Sequence, residues 1–109
     1  YASIGSPGGR KIHNANTNLA LNILEFGMGP QEAISTSRSD ASGDKTLLDY
    51  RIDENVISTL NKMGHKIHMV DDAESWYSFA RPSAIVINQE TKTIYGGSDS
   101  FPVAEAKGY

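Results

Sequence analysis

The chain has 109 residues, 39 % of them hydrophobic and 21 % charged, which is the make-up of one globular domain able to bury a core rather than of a disordered segment. A formal net charge of −3 gives no reason to expect nucleic acid or an anionic membrane as partner, and no apolar run reaches the roughly 18 residues of a membrane span. Cysteine is absent, which excludes a disulfide framework, a thiolate-held metal and a cysteine nucleophile within these residues.

In chain order, Tyr1 to Ile4 is a short apolar run with neither Met nor a basic leader in front of it. It reads as the end of a strand, and we expect the chain to be a piece of a larger protein. Gly5-Ser6-Pro7-Gly8-Gly9 follows as a turn. From Arg10 to Phe26 the period is helical, with Ile12, Ala15, Leu19, Ile23 and Phe26 on one row and Ala20 and Leu24 beside it. Asn14, Asn16, Thr17 and Asn18 weaken the intrinsic propensity of its first half, and packing of the nearly all-apolar residues 19–24 is expected to hold the helix. Gly27 and Gly29-Pro30 stop the helix, and Pro30 suits the first position of a second one, Gln31 to Thr36.

Residues 35–45 are polar and read as a loop. Residues 47–51 read as a strand, and Asp53 as the N-cap of a third helix, residues 54–63, with Val56, Ile57, Leu60 and Met63 as its buried stripe. Gly64 ends that helix. Residues 65–70 alternate as a strand, 71–81 form a polar loop with the sole Trp76, 83–87 are apolar on both faces as in a central strand, and 93–97 return as a hairpin partner. We expect an α/β domain of the α+β layered kind, with helices on one face of a mainly antiparallel sheet.

The turn at Gly5–Gly9 is the chemically informative stretch. A glycine pair between strand and helix lets the backbone approach a bound group and turns free N–H groups at the positive helix end toward an anion. On residue chemistry alone two readings stay open. One is a backbone cradle for an oxyanion or phosphate; the other is a tight turn that needs glycine for sterics. A Walker A pattern counted from Gly5 requires glycine where Arg10 stands, and no G-x-G-x-x-G is present. His65 and His68 fall on opposite faces of their strand and suit neither a zinc pair nor a general base. Asp40 to Asp44 lacks the closing Glu and the alternating acids of a calcium loop. The acidic Asp71, Asp72 and Glu74 read as a solvated turn. Arg38 either pairs with a buried carboxylate or projects into water, and Trp76 with Tyr77 either covers a cleft or packs beneath it.

The turn and the segments after it resemble the C-terminal part of the small subunit of γ-glutamyltransferases, also called γ-glutamyltranspeptidases. The ordered pieces are Gly5-Ser6-Pro7-Gly8-Gly9, Glu25-Phe26-Gly27-Met28, Gln31-Glu32-Ala33-Ile34, Ser37-Arg38, residues 57–66, Tyr95-Gly96-Gly97-Ser98-Asp99 and Gly108-Tyr109. Ser100-Phe101 follows Asp99 in place of the family's Pro-Arg. The resemblance implies that residues 1–109 are part of an αββα N-terminal-nucleophile hydrolase sandwich, made by autoproteolysis of a precursor. It implies cleavage of γ-glutamyl amide bonds, as in glutathione, through an acyl-enzyme, with transfer to an acceptor amine or water. Gly8 and Gly9 would be the oxyanion hole, donating backbone N–H groups. An N-terminal Thr would be the nucleophile, supplied with the large subunit and the rest of the small subunit by the remainder of the precursor, so this piece alone would be inactive. No metal or cofactor is implied, and the setting would be secreted, periplasmic or cell-surface. Beside this stand a non-catalytic module that holds an anion in the same turn and a structural interaction domain.

Overall fold

The computed structural model describes residues 1–73, 77–100 and 105–108, so the readings that fall on Glu74, Trp76, Phe101 and Tyr109 lie outside the described residues. Strand β1 (Ala2–Gly5) leads through the glycine turn and a 3-10 turn (Gly9–Lys11) into helix α1 (Ile12–Leu24). Leu19 and Ile23, one turn apart, are its buried residues. Of the asparagines that lower its propensity, Asn18 makes a tertiary bond, its Nδ2 donating to the Ser39 carbonyl at 3.2 Å, and further along Asn22 Nδ2 donates to the Ala33 carbonyl at 3.4 Å. Phe26 is not part of the buried row. The helix has ended before it, and its ring is exposed. Helix α2 (Pro30–Ser35) opens on Pro30 as expected and buries Ala33 and Ile34.

Two three-stranded sheets form where one was expected. In the first, β5 (Ser83–Ile87) lies between β1 and β6 (Ile94–Ser98), antiparallel to both, with Ala2 opposite Val86 and Ala84 opposite Gly97. β5 is central, as its apolar run predicts, yet Ile85 on its outer face stays 50 % exposed. α1 and α2 cover the inner face, where Leu19, Ile23, Ala33, Ile34 and Ala84 make the core and Ile4 and Val86 pack against it. Burying a side chain such as Leu19 or Ile34 contributes about 1.5–3 kcal/mol.

The second sheet runs β2 (Ser39–Asp40), β3 (Thr46–Asp49), β4 (Ile67–Val70). β2 sits in the stretch read as loop, where two residues pair with Leu47 and Leu48. β3 stops at Asp49 rather than at 51, because Arg51 folds back and donates its own N–H to the Asp49 carboxylate at 2.9 Å. β3 and β4 are parallel, joined by helix α3 (Glu54–Lys62), the crossover that parallel strands need. Asp53 caps α3 as expected, accepting from the Asn55 N–H at 2.8 Å. The stripe on α3 is not buried. Val56 is 48 % and Met63 71 % exposed, since only β4 lies against the helix and no layer covers its other side among the described residues.

α2 rests directly on β6. A Cβ added to Gly97 would sit 2.6 Å from the Gln31 nitrogen and 2.7 Å from the Pro30 carbonyl carbon, both backbone. The Gln31 side-chain amide then bonds Ser98 on both sides, accepting from its N–H at 3.1 Å and donating to its carbonyl at 3.2 Å, as a neighbouring strand would. Gly97→Ala should therefore pry α2 from the sheet and cost about 1–3 kcal/mol. Urea unfolding of the intact protein checks this, and a wild-type midpoint would refute the packing.

Candidate active site

The glycine turn is held from three directions. At its start Gly5 pairs with Ser83 across β1 and β5. In its middle the Pro7 carbonyl accepts the Arg81 N–H at 3.1 Å. At its end the Gly8 carbonyl accepts the Lys11 N–H at 3.2 Å, which opens the 3-10 turn. Gly8 has φ 148° and Gly9 φ 59°, both in the region that favours glycine. Gly8 also lies against residue 80: a Cβ there would be 2.5 Å from the Ala80 Cβ and 2.8 Å from its Cα. Gly9 faces open space. Both glycines are exposed, and neither N–H is taken up by a hydrogen bond among the described residues. The steric reading of the turn therefore holds at Gly8, and two adjacent N–H groups at the head of a helix remain available to an anion.

The two cations behind the turn part company. Arg10 is exposed and lies beside Gly43. Lys11 turns inward, and its Nζ donates to the Tyr77 carbonyl and, at 3.0 Å, to that of Ser78. This ties the start of α1 to residues 77–81, the segment that seats Gly8.

Beneath that segment lies a network of mostly buried charges. Arg38 pairs with Asp99, their side chains 14 % and 6 % exposed, and its Nη1 and Nη2 donate to the Ala80 and Ile34 carbonyls at 3.0 Å each. Arg81 donates to Asp72 at 2.9 Å and lies 3.5 Å from Asp99. Of the two readings of Arg38, the buried carboxylate is the one found. Asp72 is correspondingly not a solvated turn residue, because residue 81 brings a guanidinium onto it. Residues 80 and 81 carried no local signal in the sequence. Arg38 and Asp99 did stand in two separate motif pieces, but 61 residues part them, and nothing local pairs them.

A cleft of about 410 Å³ opens on the far side of this network, walled by Gln31, Arg38, Tyr50, Arg51, Asp72 and Arg81. Gly8 and Gly9 are not in its wall, and its arginines are spent on carboxylates. Asp49, beside it, is fully buried and accepts from Arg51 Nε at 3.0 Å and from Nη2. Burial pushes the Asp49 carboxyl up, but the hydrogen bonds and charge of Arg51 outweigh it and hold the group below its ordinary value. A second hollow of about 360 Å³ lies on the outer face of the first sheet, lined by Ser3, Gly5, Ser83, Ile85 and Ser98 and, from the C-terminal stretch, by Ala106. It flanks the strand that runs into the glycine turn. His65 and His68 are both exposed and form no shared site; His65 Nδ1 lies 3.1 Å from Thr46 Oγ1.

The family model for gamma-glutamyltranspeptidase matches residues 1–109. Among solved structures, a mutant of the Helicobacter pylori gamma-glutamyltranspeptidase is 25 % identical with a TM-score of 0.76, over 92 % of this chain and 53 % of that one. The Bacillus anthracis transpeptidase CapD is 19 % identical with a TM-score of 0.82, over 99 % of this chain and 63 % of that one. A cephalosporin acylase from Bacillus halodurans is 23 % identical with a TM-score of 0.77, over 89 % and 18 % respectively. The chain spans about half the length of the gamma-glutamyltranspeptidase chains it matches. No curated protein matches it. Its α+β fold of helices on mainly antiparallel sheets is the one expected, and it is shared with N-terminal-nucleophile hydrolases.

Proposed function

Because the chain belongs to the gamma-glutamyltranspeptidase family, we propose that it is the part of a γ-glutamyl transferase or hydrolase that stabilises the transition state of acyl transfer. The observation that carries this reading is the pair of unspent N–H groups on Gly8 and Gly9, held in glycine-only backbone at the head of a helix. A nucleophilic hydroxyl from the remainder of the precursor attacks the γ-carbonyl carbon of a γ-glutamyl amide. The carbonyl oxygen takes the negative charge, and the two N–H groups bind it. The C–N bond then breaks, the amine leaves with a proton, and the acyl group stays on the nucleophile. An acceptor amine or water attacks the acyl-enzyme through the same oxyanion.

The test is turnover of γ-glutamyl-p-nitroanilide by the intact parent protein and by residues 1–109 alone. We expect p-nitroaniline from the parent only. Turnover by the isolated piece would refute the division of labour, and a correctly processed parent without activity would refute the reaction.

A further inference from the structure

We propose that the Arg38 guanidinium sets the donor strength and direction of the Gly8 N–H through two intervening peptide units; this rests on the reading of Gly8 as an oxyanion donor. The groups form one chain. Arg38 Nη1 donates to the Ala80 carbonyl at 3.0 Å. The N–H of that same peptide unit belongs to Arg81, and it donates to the Pro7 carbonyl at 3.1 Å. The N–H of the Pro7 peptide unit belongs to Gly8. A buried cation thus begins a series of aligned amides that ends on the N–H meant for the oxyanion. Hydrogen bonds in series polarise one another, by about 10–30 % per bond in condensed phase, and more strongly away from water than in it.

The surroundings keep the chain in line. The rest of the Arg38 fork is occupied by Asp99 and by the Ile34 carbonyl at the end of α2. Arg38 is therefore fixed in rotation as well as in position. Arg81 is anchored by Asp72 at 2.9 Å, and the Asp99 N–H donates to the Pro82 carbonyl at 3.0 Å, so the peptide unit between residues 80 and 81 is held at both ends. Ala80 itself sits against Gly8, which blocks rotation of the terminal amide. The four charges, two of each sign, nearly cancel at a distance. What remains local is the guanidinium N–H aimed at the Ala80 oxygen. Arg38 is in this sense a positioning residue that never touches substrate.

The experiment compares Arg38→Lys and Arg38→Gln in the intact parent. Each is assayed for kcat/KM on γ-glutamyl-p-nitroanilide, for inhibition by L-glutamate as a ground-state probe, and for inhibition by a γ-boronate analogue of glutamate, whose adduct is a tetrahedral anion. We expect kcat/KM to fall about 10-fold for Lys and about 100-fold for Gln. The boronate Ki should rise in step, while the Ki of L-glutamate stays near wild type. Equal loss on all three measures would mean a merely structural role and overturn the proposal. Should a variant not fold, a long-range HNCO experiment on the wild-type parent reads the chain directly. A through-bond coupling from the Arg81 nitrogen to the Pro7 carbonyl carbon is expected, and its absence overturns the proposal. Gly8→Ala and Gly9→Pro separate this from the underlying reading. If they spare turnover, the oxyanion reading and the relay both fall. If they abolish turnover while both Arg38 variants match wild type, only the relay falls.

Discussion

Gly8→Ala should cut turnover of γ-glutamyl-p-nitroanilide by the intact parent about 10²–10³-fold, the loss that follows removal of one oxyanion donor. Two causes act together. A side chain at φ 148° is strained wherever it points, and here it points at Ala80, 2.5 Å from Cβ and 2.8 Å from backbone Cα. The flexible end of a side chain could move aside, but a backbone atom whose peptide is bonded on both faces cannot. The turn must lift off residue 80, and the Gly8 N–H leaves its line. Folding stability should drop too, by about 1–3 kcal/mol. Gly9→Pro should be at least as damaging, since it deletes the second N–H and proline cannot reach φ 59°. Gly5→Ala is the control: a Cβ there meets nothing within 4 Å, so turnover should stay near wild type. Wild-type rates in Gly8→Ala would sink the assignment of this turn.

Arg51→Ala should destabilise the intact protein by about 1–3 kcal/mol, because it leaves a fully buried carboxylate without its side-chain partner, the half-exposed Arg51 guanidinium being partly screened by water. Asp49 accepts from Arg51 Nε, Nη2 and backbone N–H, and Arg51 Nη1 also donates to the Ser35 carbonyl at 3.0 Å. Alanine keeps only the backbone bond. The pH dependence should change sign. In the wild type Asp49 titrates below its unfolded value of about 3.9, so its stabilisation is present above that pH and is lost as pH falls through the lower folded value. In the variant burial is the largest remaining influence, opposed by the backbone N–H of residue 51 and the Arg38 charge, and we expect it to push the folded value above the unfolded one. The folded state then takes up the proton first, and stability from this group rises as pH falls. Urea midpoints at pH 7 and pH 4.5 decide it: the gap between variant and wild type should narrow at the lower pH, and a constant or widening gap contradicts the account.

What could be read from the residues follows a physical divide. Local signals held where the backbone alone decides: Pro30 opening α2, Asp53 capping α3, and Gly8 and Gly9 taking left-handed backbone. Periodicity over-promised where burial depends on a distant layer. The Val56 and Met63 stripe has the right spacing, but among the described residues β4 is the main element against α3, so amphipathicity was visible and its partner was not. The short β2 was missed because Ser39 and Asp40 have no strand propensity; they pair only because β3 passes alongside. The site divides in the same way. The two glycines proposed as its donors lie in one contiguous motif. Its support joins residues 7, 38, 80 and 99, which meet only in the folded chain.

The pairing of β1 with β5 has a consequence in time. Tyr1 and Ile87 bond across 86 residues of sequence, whereas β3 and β4 are joined by a single helix. Closing the longer loop costs more entropy before any contact repays it, so the parallel pair can assemble early and the first sheet late. At a synthesis rate of about 5–20 residues per second, β1 waits roughly 4–17 s for its partner strand to leave the ribosome. Until then it is an unpaired edge that can join with another chain, and the adjoining glycines have no residue 80 to rest on. The glycine turn, made about 75 residues before the strand that seats it, is thus among the last parts of this chain to acquire its shape.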